Sequence, residues 1–135
     1  MKPQQLFRVG FAMLLFATLG ITGNSIGAST AYAAPSCRVG WEPIGAHYST
    51  VYTKHYVECT GEVYRINVSG YLEHNGRIRS SVVSASCFNN TECEVPSNAP
   101  FASGTWCTYT GGSFQVTSSS PIQTLTTQRG PCKTY

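Results

Sequence analysis

The chain of 135 residues contains no aspartate. That absence excludes a Ser-His-Asp triad, in which a buried carboxylate orients the imidazole, and leaves only glutamate for the role. It also excludes calcium loops built on aspartate ligands. Charge of either sign is scarce, with nine Lys and Arg, six Glu and 11% charged residues in all. Beyond the first 33 residues no G-x-S-x-G elbow, Walker loop or H-E-x-x-H helix occurs. No C-x2-C pair of the zinc type occurs either. No helical apolar pattern is found beyond the first 33 residues, so no bundle or βαβ unit is expected.

The apolar residues open the chain. Lys2 and Arg8 precede Val9 to Ile21, a run of the length of a signal-peptide core, and Ala31-Tyr32-Ala33 is an A-x-A cleavage site. Residues 1–33 are therefore expected to be a signal peptide and 34–135 a single secreted domain, released without a stable membrane anchor. Lys2 and Arg8 leave with the signal, so seven basic residues remain against six acids, near +1. A charge so close to neutral argues against nucleic acid as partner, because binding phosphates needs a basic patch.

All six cysteines lie in the secreted part: Cys37, Cys59, Cys87, Cys93, Cys107 and Cys132. An even count behind an export signal reads as three disulfides. Local pairing gives Cys37–Cys59, Cys87–Cys93 and Cys107–Cys132. The alternative keeps Cys87–Cys93 but joins Cys59 to Cys107 and Cys37 to Cys132.

Strand signals fill the rest. Glu62 to Cys87 reads as two β-rich runs around Asn75-Gly76, the dipeptide that a type I′ hairpin turn favours. With His74 opposite Arg77, Val68 faces Val83, Ile66 faces Ala85 and Tyr64 faces Cys87, all apolar. Asn67 with Ser84, Arg65 with Ser86 and Ser69 with Val82 occupy the other face. Gly111-Gly112 reads as a second two-residue turn, with Tyr109 opposite Phe114 and Cys107 opposite Val116. Further strands are expected at Arg38 to Trp41, His47 to Cys59 and Ile122 to Gln128. Turns or loops are expected at Cys59 to Gly61, Phe88 to Glu92 and Pro96 to Pro100. The fold expected is all-β, a small immunoglobulin-like β-sandwich of seven or eight antiparallel strands with three disulfides, a barrel being the alternative.

Val68 to Leu72, the spacing Cys87-x5-Cys93 and Gly104-Thr105-Trp106 resemble small secreted β-sandwich proteins of Gram-positive bacteria, actinobacteria especially. That resemblance covers about half of the secreted part. It implies a location and a fold, and no activity. Ser103 to Cys107 is also similar to the sixth strand of immunoglobulin-like domains, which would favour the Cys59–Cys107 pairing. Thr105 stands where that family has tyrosine.

Candidate chemistry is thin. His47 and His55 are eight residues apart on one expected strand, far for two ligands of one ion, and His74 is expected to be solvated beside its turn. Glu92 and Glu94 share a face, but glycoside hydrolysis needs carboxylates at a set separation. His55, Glu58 and Arg77 have the residue types of a ribonuclease without its spacing. Neither a catalytic residue nor a cofactor or metal is expected. Aromatic residues are the better lead. Tyr48, Tyr52 and Tyr56 recur on one expected strand face, and Trp106 is expected to be exposed or under a loop if Cys107 points inward. Tyrosine suits a surface that is both apolar and wet. The reading is a monomeric, non-enzymatic module that binds a protein or a cell-envelope glycan. A toxin acting on competing cells, or a small hydrolase using His and Glu, is the alternative. Asn67-Val68-Ser69 and Asn89-Asn90-Thr91 match glycosylation acceptors, relevant only in a eukaryotic host.

Overall fold

The computed structural model describes residues 33–135; the expected signal peptide lies almost wholly outside them. Residues 34–135 form one compact unit. Among the described residues there is no helix, and eight strands form one antiparallel network. They are β1 (Cys37–Trp41), β2 (Gly45–His47), β3 (Thr50–His74), β4 (Arg77–Ile78), β5 (Val83–Pro100), β6 (Thr105–Gln115), β7 (Gln123–Arg129) and β8 (Lys133–Thr134).

The unusual elements are β3, of 25 residues, and β5, of 18. They pair with each other along nearly their whole length, with one irregularity between Glu58 and Val63. There the ribbon bends, and the two leaves it joins pack face to face. The first leaf holds β1, β2, Thr50 to Glu58 of β3 and Glu92 to Pro100 of β5. The second holds the rest of β3 and β5 with β4, β6, β7 and β8. The expected all-β sandwich of antiparallel strands with three disulfides is therefore present. Two expected breaks are not. Cys59 to Gly61 and Phe88 to Glu92 are stretches of the continuous strands where the ribbon turns its corner, and Asn89 takes a positive φ of 50° there. Pro96 to Pro100 is strand as well. It lies on the sheet edge, where a missing N–H leaves no ladder bond unmade.

Alternation along β3 builds the core. Val51, Thr53, His55 and Val57 point between the leaves from one half, and Val63, Ile66, Val68 and Leu72 from the other. Val57, Val63, Ile66, Val68, Cys93 and Phe114 form one cluster with Val39. Trp106, Leu72, Val51, Ile44 and Ala99 form a second.

The Asn75-Gly76 hairpin forms with the expected first pairs, His74 with Arg77 and Glu73 with Ile78. The ladder then slips by two residues. Leu72 O accepts from the backbone N–H of both Arg79 and Ser80, and the buried Ser80 Oγ accepts from Leu72 N at 2.7 Å. Beyond that bulge Val68 pairs with Ala85, Ile66 with Cys87 and Asn67 with Ser86, in place of the expected partners. A slip of two keeps each side chain on its face, because the side-chain period is two.

The second expected hairpin does not exist. Gly111 and Gly112 lie inside β6, opposite Ser69 and Val68 of β3. Their lack of a side chain serves close approach instead. A Cβ on Gly112 would sit 2.3 Å from Asn67 O and 2.9 Å from Val57 Cγ2, and one on Gly111 would sit 2.6 Å from Thr127 Oγ1.

The disulfides follow the local pairing. Cys37–Cys59 bridges directly opposed residues of β1 and β3, and Cys107–Cys132 ties the C-terminal tail to β6. Cys87 pairs with Ile66 in one leaf and Cys93 with Val57 in the other, so their bridge links the leaves across the bend. Replacing Cys87 and Cys93 together by alanine is expected to lower stability by about 2 kcal/mol, since the closed loop is short. Urea unfolding of the double variant measures this.

Candidate functional site

The expected tyrosine row is broken by a turn. β2 ends at His47 and β3 begins at Thr50, so Tyr48 occupies the connection at φ 51°, with 90% of its surface exposed. Tyr52 and Tyr56 do share the outer face of β3. Each lies across a glycine directly opposite, Tyr52 over Gly45 and Tyr56 over Gly40. This covers the bare backbone of an edge strand. Trp106 is not a surface residue: it is fully buried, and its Nε1 donates to Ala102 O at 2.8 Å. The parity of β6 is opposite to the one expected. Trp106, Thr108 and Thr110 point inward, while Cys107 belongs to the outer face, where the disulfide-bound tail covers it.

The histidines are scattered. His55 is sealed between the leaves. Its Nδ1 lies 2.8 Å from Thr110 Oγ1 and 3.3 Å from Thr108 Oγ1, and its Nε2 lies 2.8 Å from Ser97 Oγ. Burial pushes its pKa down to about 4. His74 is half-buried rather than solvated; its Nε2 donates to Ser103 O and its ring lies beside Trp106. His47 is on β2, apart from His55. Among the described residues no hydrogen bond or ion pair joins a histidine to a glutamate, and no group of three or more His, Cys, Asp or Glu comes together to hold a metal. Glu94 is paired with Lys54, whose ammonium Glu94 and Glu42 hold above its usual range.

The outer face of the second leaf is different. It carries a shallow trough of about 490 Å³, lined on its outer side by Asn67, Ser69, Ser84, Ser86, Ser113 and Thr127. These side chains are small, polar and fixed by the ladder. In one row across three strands, Ser86 Oγ donates to Asn67 Oδ1 at 2.6 Å and Asn67 Nδ2 donates to Ser113 Oγ at 2.9 Å. The next row, Ser84, Ser69 and Gly111, is opened by the glycine. Beyond it Tyr71 and Tyr109, directly opposed, stack with ring centroids 5.0 Å apart and planes within 9°. They border a smaller adjoining pocket of about 60 Å³ together with the exposed Val82. At the other end Arg65 Nε donates to Asn67 Oδ1 at 3.1 Å.

Half of this face is legible in the sequence. Arg65, Asn67 and Ser69 sort to the polar side of the first hairpin, but Ser113 and Tyr109 come from a strand that the glycine pair disguised as a turn. A second cavity, about 380 Å³, lies between Trp41, Pro43 and Ile44 and the tail residues Pro131 to Lys133.

No family model matches the chain, and no curated protein matches it. Among solved structures, the chain is similar to the crystal structure of the CARDB domain of the PF1109 protein from Pyrococcus furiosus, described as a complex with di-metal ions. The TM-score is 0.42 at 14% sequence identity, over 71% of this chain and 94% of that one. Three disulfides fit an oxidising, extracellular setting. No helix among the described residues is long and apolar enough to cross a membrane.

Proposed function

We propose that the protein is a secreted, non-enzymatic binding module, and that it holds a cell-envelope glycan on the outer face of its second leaf. The observation that carries this reading is the connected row Ser86–Asn67–Ser113 beside the stacked Tyr71–Tyr109 pair. Saccharides present hydroxyls on both sides of flat, weakly apolar rings. A matching surface offers small donors and acceptors at fixed spacing and an aromatic border. Neighbouring strands lie roughly 4.8 Å apart, so one row of the trough presents a hydroxyl or amide about every sugar unit. The tyrosines supply apolar surface with a polar tip. The reading needs no catalytic group, and none of the histidines lines the trough.

Affinity electrophoresis of the secreted domain against envelope polysaccharides is the test. Tyr109→Ala and Asn67→Ala are each expected to weaken retardation about tenfold, the loss of one good hydrogen-bonding or stacking contact. Thermal melts confirm that both variants are folded. Retardation that neither variant changes, or none with any polysaccharide, would overturn the reading.

A further inference from the structure

We infer that the glycan is anionic and that Arg65 takes its acidic group; this rests on the glycan reading above. Arg65 is half-buried at the end of the trough. Its Nε is committed to Asn67 Oδ1, and its guanidinium carbon lies 5.4 Å from the centroid of the Phe88 ring, the residue opposite it on β5. Phe88 is itself braced edge-on by Tyr64. The fork is thus held from two directions before any ligand arrives.

What it lacks is a counter-charge. The ion pairs among the described residues belong to Arg38 and Lys54, and no glutamate lies within 4.0 Å of the Arg65 side chain. No acid lines the trough. Of the five N–H groups of a guanidinium, only Nε–H has a protein acceptor among the described residues. A half-buried cation without a partner is costly, whereas a carboxylate or phosphate monoester accepts two parallel hydrogen bonds from such a fork. The neighbouring hydroxyls then read the sugar, and the arginine reads its charge.

The test compares polymers that differ in charge alone. Polygalacturonate is set against its fully methyl-esterified form, and a phosphomannan against the dephosphorylated mannan, each by affinity electrophoresis with the wild-type protein, Arg65→Gln and Arg65→Lys. The wild type is expected to bind at least one acidic polymer about tenfold or more tightly than its neutral twin. Arg65→Gln should erase the difference between the acidic polymer and its neutral twin. Arg65→Lys, keeping the charge but not the fork, should fall between. The pair that shows the difference tells carboxylate from phosphate. Wild-type protein that binds acidic and neutral twins alike would overturn the anionic assignment and leave the glycan reading standing. Failure to bind any of the four would overturn both. If Arg65→Gln does not fold, the Arg65 Nε–H resonance of the wild type decides. It should shift on addition of the acidic polymer and stay in place with the neutral one; no shift with either acid overturns the assignment.

Discussion

Substituting alanine for Gly112 is expected to destabilise the protein by about 3 kcal/mol or more, a large fraction of the stability of a domain this size. The new Cβ would lie 2.3 Å from Asn67 O, a backbone atom. That oxygen belongs to the ladder between β3 and β6, so it cannot retreat without parting the strands. On the other side Val57 of the opposite leaf closes the space at 2.9 Å. Gly111→Ala is the internal control. Its nearest neighbour is the side-chain hydroxyl of Thr127, which can turn away, and a loss of about 1 kcal/mol is expected. Urea midpoints at constant slope measure both. Equal, small losses at the two positions would mean that β6 does not pass through the sandwich as described.

Acid is expected to weaken the fold through one residue. His55 is neutral in the folded protein down to about pH 4, whereas in the unfolded chain it takes up a proton near pH 6.5. Its stabilising effect is therefore complete above pH 6.5. It declines as pH falls through that window and levels off below about 4. The change amounts to about 3 kcal/mol by proton linkage. Thr108, Thr110 and Ser97 hydrogen-bond the ring and Gly70 packs against it, and none of these titrates in that range. His55→Gln should flatten the pH dependence between 4 and 6.5, whatever it does to overall stability. A wild-type slope that persists in the variant would place the acid sensitivity elsewhere.

The fold class was legible because it depends on local signals. Asn75-Gly76 marks its turn, alternation marks the strands, and six cysteines within about a hundred residues mark the bridges. The local pairing is the preferred one in the sequence, and Cys37 and Cys59 do bracket one antiparallel return. What stayed hidden was non-local. Gly111-Gly112 reads as a turn on its own. Only the presence of β3 on one side and Thr127 on the other shows why glycine stands there. Taken as a turn, the pair also inverts the parity of β6, which places Trp106 outside and Tyr109 away from the trough. The slip at Arg79 to Val82 was invisible because it preserves the parity by which a paper register is judged. Tyr48 was misplaced for a simpler reason, since a strand beginning two residues later leaves it in a turn. The trough itself is assembled from four strands, and no window of sequence contains it.

In many sandwiches the two sheets are separate pieces joined by loops, and their relative tilt depends on side-chain packing alone. Here the leaves are two ends of a single creased ribbon, stapled across the crease by Cys87–Cys93. Opening one leaf away from the other would mean unbending paired backbone, not merely sliding apolar surfaces. The trough is thereby mounted on a stiff frame. A ligand docking there would lose little affinity to immobilising its receptor, which would suit even a shallow surface with modest contacts to the proposed role.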